Sequence, residues 1–189
     1  MMFFQSPDAA FEHIIFRKDN ILEICEGKSV LHLGFVQHSH LYEQKIKEGD
    51  WLHSLIDEVA TRLVGIDYLN ATVDRIREEY GYEVYSGDVM HLSNVAVGDV
   101  FDVIVCGELI EHLENPGLML EGIKRFCHQD TLVIFTTPNP WARHRIHLIR
   151  KGILEEQWLN PEHTMWFSFQ TLKQLLERKG YHCITSDYY

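Results

Sequence analysis

The stretch GELIEHL holds three side chains that can bind protons or metal ions: Glu108, Glu111 and His112. They stand at i, i+3 and i+4, so a helix would turn all three to one face and let them converge. Two carboxylates and an imidazole suit Mg2+, Mn2+ or Zn2+. His163, in NPEHTMWFS, can add a fourth ligand from a loop. An ion held there would bind a hydroxyl and lower its pKa. Without an ion, His112 or His163 can take the proton as a general base. The same spacing also describes a solvated helix face on which His112 orients its neighbours.

A second constellation closes three apolar runs. SVLHLG ends at Gly34, RLVGIDY at Asp67, and EVYSGDV at Asp88. A carboxylate at such a run's end can accept two hydrogen bonds from a ribose diol. Asp88 can take an exocyclic adenine amine. Aspartate is equally a good helix cap and turn residue.

A third constellation is basic. WARHRIHLIRKGILEEQWLNPEHTMW carries Arg143, Arg145, Arg150 and Lys151, with His144 and His147 between them, in a chain of net charge −11. It can hold a phosphate, a nucleotide-sugar diphosphate or a carboxylate. Trp141, Trp158, Trp166 and Phe167 can stack on a sugar or a ring. The alternative is a solvated amphipathic helix whose arginines pair with Glu155 and Glu156.

The elements that must position these groups alternate. Residues 8 to 26 have helical spacing. SVLHLG, RLVGIDY, EVYSGDV, FDVIVCGE and TLVIFTTPN read as strands, and YHCITSDYY begins a last one. WLHSLIDEVA, NATVDRIREEYG, residues 114 to 127 and FSFQTLKQLLERKG read as helices. This alternation predicts right-handed βαβ crossovers and an open, doubly wound, mostly parallel α/β sheet with helices on both faces. Its strands are continuous apolar runs, as burial on both faces requires. Ligands of such sheets bind beyond the carboxyl ends of the strands, where the acidic residues stand. Gly34 to Asp67 is longer than a compact connection needs, which predicts an extra helix or a lid. Trp51 and His53 then either close on a ligand or, with Leu52 and Leu55, face the core.

The chain has 189 residues, 46% hydrophobic and 24% charged, which suits one soluble domain over 1–189. Residues 1–28 read as a leading helical segment and 141–167 as a cap or insert. No apolar run approaches the ~20 residues of a membrane span, and the first residues do not read as a signal peptide. Cys25, Cys106, Cys127 and Cys183 form no CxxC pair, which predicts reduced thiols and a cytoplasmic protein. The acidic balance argues against nucleic acid as a partner.

The order Gly34, Asp67, Asp88, then FDVIVCGELIEHLENPGLMLEGIKRF and LVIFTTPNP, resembles the class I S-adenosylmethionine-dependent methyltransferases. It is most similar to the small-molecule O-methyltransferases of ubiquinone biosynthesis and to relatives associated with surface glycans and natural products. The resemblance implies a seven-stranded Rossmann-like sheet with S-adenosylmethionine across four strand ends. It implies that His32, Gly34 and Phe35 face the methionine moiety, Asp67 and Tyr68 the ribose, Asp88 and Val89 the adenine, with Glu108 near the methyl group. The implied reaction is methyl transfer to a hydroxyl or amine of a small molecule, such as a sugar or nucleotide sugar. The Glu-x-x-Glu-His cluster also resembles the metal site of small-RNA 2′-O-methyltransferases, which gives an alternative function. A degenerate, non-catalytic binding protein is a third.

Two departures from the family pattern stand out. Its loop is acidic-x-Gly-x-Gly-x-Gly, and here those positions hold His32, Gly34, Val36 and His38. Its final antiparallel strand is expected to be missing after YHCITSDYY, so that either the chain is a truncated form of a longer protein or the sheet is shorter or completed by a partner chain, with a homodimer as one candidate.

Overall fold

A computed structural model describes residues 2–4, 17–36, 41–157 and 160–186. One seven-stranded sheet organises the chain. Its strands are β1 (Met2–Phe4), β2 (Ser29–Leu33), β3 (Arg62–Asp67), β4 (Val84–Ser86), β5 (Phe101–Gly107), β6 (Cys127–Thr136) and β7 (Cys183–Ser186), in the order β4-β3-β2-β5-β6-β1-β7. The five strands from β4 to β6 are parallel. The chain leaves β2 toward β3 and β4, then crosses back to β5, so the topological switch point lies between the ends of β2 and β5.

The antiparallel place in the sheet is filled, but not from the expected end. β1 lies between β6 and β7 and runs antiparallel to both. The segment expected to read only as a leading helix thus contributes a strand.

The helices are α1 (Arg17–Cys25), α2 (Tyr42–Glu48), α3 (Leu52–Val59), α4 (Asn70–Tyr80), α5 (Pro116–Ile123), α6 (Arg143–Arg150) and α7 (Phe169–Arg178). α2 is the extra helix between Gly34 and Asp67. Alternation of side chains along the strands divides the core. Leu31, Leu33, Val64, Ile66, Ile104, Cys106, Val133 and Phe135 join Met119, Leu120, Leu172 and Leu176 on one face. Val30, Leu63, Val103, Val105 and Ile134 join Ile21, Cys25, Leu52 and Ile56 on the other. A third cluster, Phe35, Val36, Tyr42, Trp51, Val73, Ile76 and Val84, closes the carboxyl end beneath α2 and α4. The Glu43–Arg75 ion pair joins those two helices.

The helix predicted over 114–127 is shorter, because α5 gives way to a 3-10 turn at Lys124–Phe126. None of the α6 residues is buried, so the cap lies on the domain rather than in it. All four cysteines are free thiols. Among the described residues, no helix is long and apolar enough to cross a membrane.

Candidate active site

The carboxyl ends of β4, β3, β2 and β5 form one edge. Gly34 ends β2 with φ +68°, the left-handed turn that glycine makes readily. A Cβ there would lie 2.9 Å from Cδ1 of Leu109, which leans across from the end of β5. Backbone alone fits this point.

Asp67 ends β3 and is 4% exposed. Its Oδ2 accepts from the Val36 N–H at 3.0 Å and its Oδ1 from the Leu69 N–H at 3.1 Å. Burial raises its pKa, against backbone hydrogen bonds from Leu69, Val36 and Tyr68. Tyr68 beside it is 71% exposed. Asp88 caps the 3-10 turn Val89–Asn94, accepting from the Met90 N–H at 2.8 Å, and its other oxygen meets His91 Nδ1 at 2.9 Å.

Three expected cofactor side chains turn inward instead. His32 and Phe35 are buried against His53, and Val89 packs into the core. Side-chain alternation on β2 sends His32 to the α3 face, away from the strand-end edge. These three residues can offer a ligand only their backbone. His38 lies outside the described residues.

The fourth expected group, Glu108, leaves the ELIEH cluster. Its φ is +51°, the one positive value among the described non-glycine residues. Its N–H donates to the Thr136 carbonyl at 2.9 Å and Oγ1 at 3.0 Å, which pins the turn out of β5. Ile110–His112 is a 3-10 turn, not the α-helix that would have aligned all three groups. The groups that do converge are Glu111, His112 and His163, with ligand atoms all within 4.8 Å of one another.

Thr164 docks the His163 loop. Its N–H donates to the Glu111 carbonyl at 2.9 Å, and its hydroxyl donates to the carbonyls of Glu111 and Leu113 at 3.1 and 2.9 Å. The His112 and His163 rings then meet edge to face, 4.6 Å between centres. Glu111 is fully buried. Burial lowers the pKa of His163, and the neighbouring His112 and Arg145 lower it further, against Glu108 and Glu162. His163 is therefore neutral at pH 7.

Arg145 comes from α6. Its guanidinium covers the Trp166 ring, and its charge faces Glu108, Glu111 and Glu155. Trp166 stands edge-on to His163, 5.8 Å between centres, and its Nε1–H donates to Glu155 at 2.6 Å. Neither Thr164 nor the Arg145–Trp166 stack had a sequence signal, because both join segments far apart in the chain. On the outer side of α6, Asn139, Trp141, Arg143, His144 and His147 line an open cleft of about 720 Å³. Trp158 lies outside the described residues.

A methyltransferase-domain family profile matches residues 8–186. The chain belongs to that family. A Mycolicibacterium smegmatis protein described as a "Probable S-adenosylmethionine-dependent methyltransferase" is 28% identical over 183 residues, with 93% of this chain covered. The chain spans 62% of that relative's length. A "Ubiquinone biosynthesis O-methyltransferase" of Actinobacillus pleuropneumoniae is 24% identical, over 80% of this chain and 76% of its own. Among solved structures, a SAM-dependent methyltransferase from Aquifex aeolicus covers 90% of both chains at TM-score 0.58 and 16% identity. One from Archaeoglobus fulgidus covers 86% of this chain and 65% of its own at TM-score 0.56 and 20% identity. Both share this chain's Rossmann-like fold.

The strand-end edge fits the nucleoside that the family implies. Three backbone donors reach the Asp67 carboxylate, and its roughly four lone-pair sites leave room for one ribose hydroxyl.

Proposed function

We propose that this domain transfers a methyl group from S-adenosylmethionine to a hydroxyl or amine of a small anionic acceptor, with nucleotide sugars as the leading class. The observation that carries this reading is the His112–His163 pair beside buried Glu111, at the end of β5 and next to the nucleoside edge. Asp67 and Tyr68 would hold the ribose, Asp88 the adenine, and the Gly34 backbone the methionine part. When bound, S-adenosylmethionine supplies a sulfonium-activated methyl group.

The protein's own work is positioning and proton removal. Neutral His163 accepts the acceptor's proton. His112, edge-on to it, and the Thr164 hydrogen bonds hold its loop in place. Arg145 sets a positive charge beside the two imidazoles, which favours an anionic acceptor and a developing oxyanion. Arg143 and Arg150 extend that charge along α6 and Lys151 just past it, where a diphosphate could lie in the cleft beside Trp141, His144 and His147.

A second reading has its own support. Glu111, His112 and His163 form a one-carboxylate, two-imidazole donor set, which suits a divalent transition metal. The ion would orient the acceptor oxygen and lower its pKa. Against it stands the positive charge of Arg145, already directed at the same Glu111 carboxylate.

The test is calorimetric titration with S-adenosylhomocysteine, then a labelled-methyl screen of nucleotide sugars with and without chelator. Micromolar binding and methyl transfer to any of them support the reading. No binding overturns it.

A further inference from the structure

One interior cluster has no part in the chemistry above. Trp51 and His53, at the start of α3, are fully buried, as is Phe35. Trp51 Nε1–H donates to the Phe35 carbonyl at 3.1 Å. His53 Nδ1 meets His32 Nδ1 at 3.2 Å, so one ring donates and the other accepts. The His53 ring also packs on Phe35, 4.6 Å between centres. We propose that Trp51 and His53 hold the turn Gly34–Val36 in its binding conformation, as positioning residues for the cofactor. They take over a task that glycines perform elsewhere in the family. This rests on the reading that the strand-end edge takes S-adenosylmethionine.

A β-branched residue resists positive φ, and Val36 has none. Glycine's freedom gives the turn its left-handed step at Gly34 and nothing beyond it. Three contacts hold the two residues that follow. Trp51 ties the Phe35 carbonyl to α3. His53 ties α3 to β2 through His32. Asp67 ties the Val36 N–H to β3. Gly65 on β3 makes the room: a Cβ there would lie 2.8 Å from Phe35 Cδ1 and 2.9 Å from His53 Cε1.

The choice of histidine at position 53 needs its own explanation. Its Nε2 is buried and has no hydrogen-bond partner among the described residues. Such an atom destabilises a fold, and phenylalanine would fill similar space without it. The Nδ1 contact to His32 is what imidazole adds.

The variants Trp51→Phe, His53→Phe and His53→Asn separate this role from plain packing. Two measurements apply to the whole chain: hydrogen exchange at the Phe35 and Val36 amides, and calorimetric affinity for S-adenosylhomocysteine. Trp51→Phe and His53→Phe are expected to melt cooperatively, to speed exchange at Val36 about tenfold, and to weaken binding about tenfold. His53→Asn, whose amide can replace the Nδ1 contact, should restore affinity to within about threefold. Wild-type exchange at Val36 in both aromatic variants overturns the proposal, whatever the affinity. Faster exchange with unchanged affinity overturns it too. A wild-type chain that binds no ligand, while its variants still lose protection at Val36, defeats the cofactor reading and leaves the loop-holding contacts standing.

If His53→Phe fails to fold, His32 gives a second route. An aspartate there can accept from His53 Nδ1–H, so His32→Asp should keep affinity within about threefold, whereas His32→Leu should lose about tenfold. Equal behaviour of the two overturns the proposal.

Discussion

The guanidinium carbon of Arg145 lies 4.3 Å from the centre of the Trp166 ring, and the same indole donates to Glu155. One side chain therefore grips both ends of a cap that buries none of its helix. Trp166→Leu should release α6. Trypsin cleavage between Arg143 and Lys151 is expected to speed up about tenfold, with global stability reduced by only about 1 kcal/mol. Unchanged digestion would show that the cap is held elsewhere.

His163 is expected to carry the proton transfer. His163→Ala should lower turnover about 100-fold and leave S-adenosylhomocysteine affinity intact. Its depressed pKa keeps the imidazole neutral at pH 7, so the rate should decline only as pH falls below about 6.5. Chelator should change the rate less than twofold. A rate abolished by chelator and restored by Mn2+ would instead support the metal reading at Glu111, His112 and His163.

Stability should depend on pH through His53. Burial, and then the neighbouring His32, push its pKa well below the ordinary value. The unfolded chain then binds the proton more readily, and stability falls as pH drops below about 6.5, by up to 1.4 kcal/mol per pH unit. The groups packed around it are His32, Trp51, Phe35 and Tyr82. Asp67 acts in the opposite sense at more acid pH, because its raised pKa makes the folded chain the better proton binder there. Urea midpoints between pH 5.5 and 7.5 should shift in the wild type and shift less in His53→Phe.

Asp67→Ala frees the Val36 and Leu69 amides, which should reduce stability by about 1–3 kcal/mol and weaken S-adenosylhomocysteine binding. Asp88→Ala removes a cap worth about 1 kcal/mol and should weaken binding as well. Calorimetry and urea denaturation separate the two effects. Affinity unchanged in both variants would remove the nucleoside site from this edge.

Much of this was legible in the chain. Runs such as FDVIVCGE and TLVIFTTPN are apolar throughout because both faces of the central strands are covered, and they gave the strand order its frame. Asp67 and Asp88 fall at strand ends as read. What escaped were relationships across the sequence. Met2–Phe4 has no periodicity to betray a strand. Glu108 stood at helical spacing, yet a left-handed turn takes it out of line, and the distant Thr136 helps to fix that turn. His32 looked like a substituted cofactor residue, and its partner lies 21 residues away.

The sheet's antiparallel place has a kinetic consequence. Met2 is in register with Ser186 as well as with Phe135. The earliest strand is thus paired by two of the latest, and this edge contributes the contacts of greatest sequence separation. Such contacts form slowly, because loop closure must precede any gain from them. During synthesis β1 must wait, unpaired, until β6 and then β7 emerge. The nucleoside edge can assemble from β2 to β5 before that, so the two halves of the sheet should mature on different timescales.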